Sequence, residues 1–280
     1  MTTTASPSPT GISFDYARSW LLVAAHRPDA VDEAVVSSAD VVVFDLEDAV
    51  PAELKAETRT IVAQQIRSGR RAWVRINDVE TPYWADDLAE LGSLPELAGV
   101  VLAKVEHAGQ IDATAAALSP GTPIVALLES AAGIEAAAAV AARSATARLA
   151  FGSGDFRLDT GMSDSAAAMA YARSRLTVAS RAAGLPGPID GPTVSEDEDR
   201  LHADTAAASA LGMTARICLR EGQVTLVNRD LSPSHSDIIW ATGILDNDDV
   251  SRDGSYRPQL ARARSVLDRA RIYSCPMPKH

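Results

Sequence analysis

Eight short runs rich in Val, Ile and Leu recur along the chain, each parted from the next by a longer, often Ala-rich stretch. They are Trp20 to Ala24, Val41 to Asp45, Ala72 to Ile76, Val100 to Lys104, Ile124 to Glu129, Leu149 to Gly152, Pro188 to Asp190 and Ala215 to Leu219. Strands that read as continuous apolar runs are those buried on both faces, as in parallel sheets covered by helices. The stretches between them are Asp29 to Ser37, Ala52 to Ser68, Trp84 to Leu91, Ala108 to Leu118, Gly133 to Arg143, Ser163 to Ala183 and Glu196 to Leu211, with apolar residues at helical spacing. Each is long enough to return the chain so that the next strand runs parallel. The pattern predicts an α/β fold, a (β/α)₈ TIM-type barrel with a C-terminal helical extension or lid; a doubly wound open sheet uses the same alternation and competes with it.

With 280 residues, a barrel of this kind is one domain. The expected organisation is a flexible Thr, Ser and Pro tail over residues 1–11, the barrel over 12–227, and an extension over 228–280 that serves as a lid or an oligomer arm. The extension is read as a Pro-containing and acidic segment, Asn228 to Asp253, and a last helix, Pro258 to Ile272; the cluster Asp246 to Asp249 is read as a solvated loop. The tail has neither the basic start nor the apolar run of a secretory signal, and no long uncharged apolar stretch suggests a membrane span. Two cysteines, Cys218 and Cys275, provide no disulfide framework. A cytoplasmic location is the expectation. Twenty-six basic against 37 acidic side chains give a net charge of −11, which argues against nucleic acid or an anionic membrane as partner. An anionic small molecule stays open, because a few arginines in a cleft can reverse the local potential.

On such a barrel the chemistry sits at the C-terminal ends of the strands, so polar residues that abruptly end apolar runs are the candidates. Glu129 ends the fifth run and Asp155 follows the sixth through Gly152-Ser153-Gly154, and the two suit a hard, oxygen-ligated cation such as Mg²⁺; capping of a helix and closing of a turn are their structural alternatives. Gly152 and Gly154, flanking Ser153, allow close backbone approach to a ligand. Arg75 follows Trp73 and Val74, and a buried guanidinium needs a carboxylate or phosphate partner: that of a substrate, a small carboxylated one being expected, or the internal acids Asp45, Glu47 or Asp48. Three acids within four residues raise the pKa of at least one, and Glu47 is the choice for proton transfer. Lys104 is a further basic candidate, with packing or surface as the alternative, and Arg18, His26 and Arg27 are weaker ones.

Taken together, Arg18-Ser19-Trp20-Leu21-Leu22-Val23 with Arg27-Pro28, Phe44-Asp45-Leu46-Glu47-Asp48-Ala49-Val50, Val74-Arg75-Ile76-Asn77, Leu128-Glu129-Ser130, Phe151-Gly152-Ser153-Gly154-Asp155 and Ile189-Asp190-Gly191-Pro192 resemble the citrate lyase β-subunit-like branch of the HpcH/HpaI aldolase superfamily. The resemblance runs from Arg18 to about Ala270. It implies a trimeric or hexameric barrel that binds Mg²⁺ and makes or breaks a carbon–carbon bond in a 3-hydroxyacyl thioester such as malyl-, citramalyl- or citryl-coenzyme A. It also implies that Glu129 and Asp155 ligate the metal, Arg75 contacts substrate and Glu47 is the acid or base. The sister branch of free 2-keto acid aldolases usually has His after the acid, whereas Asp48 follows Glu47 here. The chain departs from the family pattern at Val23-Ala24-Ala25, where Val-Pro-Gly is common, and at Ala215-Arg216 and Cys218-Leu219-Arg220-Glu221, where Gly-Lys and Ile-His-Pro are common. These departures leave open another acyl carrier, another substrate, an aldolase or thioester hydrolase reaction, or a silent metabolite binder.

Overall fold

The computed structural model describes residues 11–246 and 256–277. Eight parallel strands close into a barrel in chain order: β1 (Ser19–Ala24), β2 (Val41–Asp45), β3 (Ala72–Ile76), β4 (Leu97–Leu102), β5 (Ile124–Leu128), β6 (Thr146–Phe151), β7 (Ile189–Asp190) and β8 (Ala215–Cys218). Pairing of β1 with β8, Ser19 opposite Arg216 and Leu21 opposite Cys218, closes the ring and excludes the open sheet. Helices α1 (Pro28–Val36), α2 (Lys55–Arg67), α3 (Pro82–Leu91), α4 (Ala108–Ala117), α5 (Ala131–Ala141), α6 (Ser153–Thr160), α7 (Ala166–Ala182) and α8 (Glu198–Ala210) fall between the strands. None of the helices among the described residues is long and apolar enough to cross a membrane.

Side chains alternate along a strand, so one inward residue fixes the rest. Val41 and Val43, Trp73, Val101, Val125 and Leu127, and Ala150 meet in the barrel core. The same two-residue step carries Asp45, Arg75 and Glu129 inward above them. The aromatic pair Trp20 and Trp73 meets edge to face at 5.1 Å, a geometry that adds about 0.5–1.5 kcal/mol beyond area burial. Gly99 on β4 is required here, because a Cβ would enter the Trp73 ring. Low in the barrel, Arg148 on β6 is fully buried and donates to the carbonyls of Gly187, Phe14 and Ala17 and to the Thr214 hydroxyl, at 2.7 to 3.0 Å. It is an internal plug in the N-terminal half of β6, below the strand ends where chemistry is expected.

The differences from the sequence reading have local causes. β4 starts three residues early, at Leu97, because Ala98 and Gly99 hide its apolar character. β6 starts at Thr146 because the inward Arg148 interrupts its pattern. The segment between β6 and β7 carries two helices rather than one, since the glycine-flanked Ser153–Thr160 stretch offers no apolar periodicity. Likewise the acidic segment beyond β8 is largely helical: α9 (Glu221–Asp230) and α10 (His235–Asp246) precede α11 (Tyr256–Ile272). Asp246 ends α10, while Asn247, Asp248, Asp249 and residues 1–10 lie outside the described residues.

The chain divides into two compact units, residues 1–227 and 228–280. The first holds the barrel. Within the second, Ile238 and Ala241 of α10 pack on Ala263, Val266, Leu267 and Ala270 of α11, and the Arg262 guanidinium lies 4.8 Å from the Trp240 ring.

Candidate active site

Asp45, the last residue of β2, is fully buried and accepts four hydrogen bonds. The Arg75 guanidinium supplies two in parallel, Nε to Oδ1 at 2.7 Å and Nη2 to Oδ2 at 2.6 Å. The amides of Glu47 and Ala49 supply the others, at 2.9 and 3.1 Å, and so fold the chain after β2 around the carboxylate. Such a fork-to-fork pair is both strong and geometrically specific. Burial works against the guanidinium charge, but Asp45 and Glu47 outweigh it, and Arg75 stays charged. Below it the barrel interior is apolar, walled by Val43, Val101, Leu127, Ala150 and Ile189.

The remaining Arg75 nitrogen, Nη1, lies 3.2 Å from Oε2 of Glu47, and Lys104 Nζ lies 3.0 Å from its Oε1. Glu47 is buried, and Asp48 donates its amide to Oε2 at 2.9 Å. Burial raises the Glu47 pKa above the ordinary carboxylate range, Arg75 opposes this, and the neighbouring Asp48 adds to it. The three acids therefore divide their work: Asp45 is an anchor, Glu47 is a two-cation carboxylate, and Asp48 is exposed, beside Glu47, with Lys104 Nζ 3.8 Å from its Oδ1.

Glu129 follows β5 directly, with Ser130 next, and it is Ser130 that caps α5 by accepting the Gly133 amide. Glu129 is thus not the cap. Its carboxylate is buried, accepts the Lys104 amide on Oε1 at 2.8 Å, and rests against Gly152, where any Cβ would collide with it. Burial pushes the Glu129 carboxyl up to about 8; the charges of Glu47 and Asp155 add to this, while the Lys104 amide and Arg75 oppose it. Asp155 sits in the first turn of α6, whose cap is Gly152 and whose first bond runs from the Phe156 amide to the Gly152 carbonyl. The amides of Ser153, Gly154 and Asp155 therefore have no acceptor within the helix.

Among the described residues, the Asp155 carboxylate accepts no hydrogen bond and joins no ion pair, and no group of three or more His, Cys, Asp or Glu able to hold a metal occurs. Glu129 and Asp155 are an all-oxygen donor pair whose mutual repulsion a dication would relieve. A hard cation there would complete its shell from water and substrate, the habit of Mg²⁺. The residues fit that ion.

The loop is braced from behind as well. Lys55 Nζ donates to the carbonyls of Leu46 and Glu47 at 2.8 and 3.0 Å and to Asn77 Oδ1 at 2.7 Å. Asn77 Nδ2 donates to the Leu46 carbonyl and to Asp87, which in turn accepts from Arg59 Nε at 2.7 Å. The sequence reading passed over Lys55, Asp87 and Arg59; the one available signal was a buried acid, Asp87, on the apolar face of α3. Arg18, just before β1, is engaged elsewhere, in a buried bidentate pair with Asp40, which directly precedes β2. No hydrogen bond or ion pair among the described residues ties His26 or Arg27 to the acid cluster.

The family model of the HpcH/HpaI aldolase/citrate lyase family matches residues 18–220, the barrel with all the residues above. The chain belongs to the HpcH/HpaI aldolase/citrate lyase family. The model of the HpcH/HpaI aldolase C-terminal domain matches residues 236–274. A citrate lyase subunit beta-like protein of Deinococcus radiodurans is 32% identical over 89% of this chain and 96% of its own length. A (3S)-malyl-CoA thioesterase of Cereibacter sphaeroides is 29% identical over 79% of each chain. The solved structure of the protein CitE from Mycobacterium tuberculosis, in complex with magnesium, acetoacetate and coenzyme A, superposes with a TM-score of 0.76 at 27% identity, covering 92% of this chain and 99% of that one. Within the HpcH/HpaI family the likeness is to the citrate lyase β-subunit-like branch.

Proposed function

We propose that the protein is a Mg²⁺-dependent carbon–carbon lyase acting on a 3-hydroxyacyl thioester such as malyl-, citramalyl- or citryl-coenzyme A, yielding a keto acid and an acyl-coenzyme A. The observation that carries this reading is the convergence of Glu47, Arg75, Lys104 and Glu129 at the mouth of the barrel, with Asp155 beside them and its carboxylate unengaged. The magnesium, acetoacetate and coenzyme A held by the M. tuberculosis relative support the substrate class.

In this reading Glu129 and Asp155 hold the cation, which supplies Lewis-acid polarisation of the hydroxyacid's oxygens when bound. Arg75, fixed by Asp45, donates to the oxygen that becomes the keto group, and the free amides at the start of α6 receive the substrate carboxylate. The bond between the hydroxyl-bearing carbon and the carbon next to the thioester breaks, and its electron pair passes into the thioester enolate as the hydroxyl loses its proton to the Glu47 carboxylate, directly or through water. Glu47, whose raised pKa suits proton exchange nearer neutrality, delivers a proton to the enolate carbon directly or through water, and removes it in the reverse condensation. The amide-rich turn of Gly152, Ser153 and Gly154 shapes the substrate face of the site. Assembly as a trimer or hexamer, with residues 228–280 as lid or arm, belongs to the same proposal.

Hydrolysis of the thioester is the second reading, favoured by the similarity to the (3S)-malyl-CoA thioesterase. A panel of hydroxyacyl thioesters incubated with Mg²⁺ separates the two. Keto acid with intact acyl-coenzyme A supports the lyase, whereas hydroxy acid with free thiol replaces it by the hydrolase.

A further inference from the structure

Lys104 is one of two non-glycine residues with positive φ among the described residues, at 52°. A side chain in the left-handed region is strained, and such strain persists where the surroundings or the function demand it. Here the bend has two consequences at once. It turns the Lys104 amide onto Glu129 Oε1 at 2.8 Å and sends the ammonium back over β2, to Glu47 Oε1 at 3.0 Å and to Asp48 at 3.8 Å. Glycine or asparagine would take this backbone shape with less strain but would supply no cation. The Lys104 side chain is 42% exposed, so solvent screens the pair and stability alone is a weak reason for it.

We propose that Lys104 is a positioning residue that holds the Glu47 carboxylate against Arg75 and facing Glu129, setting the separation between the proton-transferring group and the metal-ligand carboxylate. This rests on the lyase reading for its catalytic meaning, although its geometric content stands without it. Backbone and side chain act on different carboxylates, and substitution can divide them. Lys104→Asn keeps the left-handed bend, and with it the amide to Glu129, while deleting the ammonium. Lys104→Arg restores a cation that reaches Glu47.

The experiment combines steady-state kinetics on the thioester turned over by the parent, calorimetry with Mg²⁺ and a keto acid, and crystal structures of parent and Lys104→Asn with Mg²⁺. The expected result for Lys104→Asn is a Glu47 carboxylate swung out of its place beside Arg75 and an unmoved Glu129. Its kcat should fall by roughly 10- to 100-fold, the range typical of groups that orient a functional residue, with KM and Mg²⁺ affinity little changed and much of the loss recovered in Lys104→Arg. A Glu47 that stays in place, a parent-like kcat, or a loss of metal affinity parallel to the loss of turnover overturns the proposal. If the parent turns over no thioester as a lyase, the Glu47 displacement still decides the positioning role, so the two failures are told apart.

Discussion

Asp45 and Arg75 form a two-bond pair at 2.7 and 2.6 Å with the carboxylate fully buried. The arginine is therefore both the partner of an internal acid and a donor aimed at the site, and its removal has two separable effects. Arg75→Met should cost about 3–5 kcal/mol, because it strands Asp45 without its cation. Adding Asp45→Asn to Arg75→Met should return much of that stability in thermal or urea unfolding while activity stays absent. An Arg75→Met that is as stable as the parent would refute the anchoring role of the pair.

Arg75→Lys separates charge from shape. An ammonium cannot make the parallel pair to Asp45 and still reach outward, so turnover should fall on the order of 100-fold with KM affected less. Kinetics on the folded variant supplies the check, and near-parent turnover removes Arg75 from the mechanism.

Glu129→Gln and Asp155→Asn should each abolish Mg²⁺-dependent keto acid binding in calorimetry, because a neutral amide ligates a hard dication poorly. Gly152→Ala is expected to do the same with no charge altered, since its Cβ would displace the Glu129 carboxylate. Parent-like binding in all three would place the cation elsewhere.

Asp45, Arg75 and Glu129 were legible as candidates because each is a polar residue that ends or interrupts an apolar run near the strand ends where a barrel places its chemistry, and seven of the eight apolar runs mark strands of four to six residues. β7, reduced to Ile189–Asp190, was legible in the short run Pro188 to Asp190 but is the weakest of the eight signals, because two paired residues leave almost no pattern to read. What periodicity cannot carry is the backbone turn at Lys104, which depends on one φ angle, or the meeting of Arg59, Asp87, Asn77 and Lys55, which are far apart in the chain and brought together by packing of α2 against α3 beside the end of β3. α6, α9 and α10 were missed because glycine punctuation or acidic composition masks a short helix whose stability comes from packing, not from propensity.

The Glu129 carboxyl, raised by burial to about 8 from an ordinary 4.5, should make metal binding at the proposed site depend on pH. Below about pH 8 Mg²⁺ must displace a proton, so its apparent affinity should climb close to tenfold per pH unit and level off above that point. In the metal-free protein the folded state holds this proton more tightly than the unfolded chain does. Its contribution to stability is therefore present below pH 4.5 and is lost as pH rises toward 8. Saturating Mg²⁺ should reverse that loss, and Glu129→Gln should flatten both trends. A metal affinity independent of pH between about 6 and 9 would mean that Glu129 is ionised before the cation arrives.

Lys55 tests whether the loop that carries Glu47 must be held from behind. Its ammonium donates to the Leu46 and Glu47 carbonyls and to Asn77 Oδ1, three bonds that no other side chain can replace together. The Leu46 carbonyl retains the Asn77 amide at 2.9 Å, whereas the Glu47 carbonyl retains only the Val50 amide at 3.0 Å. In Lys55→Met the loss should therefore fall on the Glu47 peptide, with a destabilisation of about 1–3 kcal/mol from the unsatisfied groups. Amides from Glu47 to Val50 should exchange with deuterium faster than in the parent, while those of β5 and α6 stay protected and Mg²⁺ affinity holds. Turnover should drop with it, because the Glu47 peptide would then be held only through Asp45 and the Val50 amide. Unchanged exchange at Glu47 to Val50 together with parent-like turnover would show that Asp45 and its two amides suffice, and that the chain from Arg59 through Asp87 and Asn77 to Lys55 serves packing only.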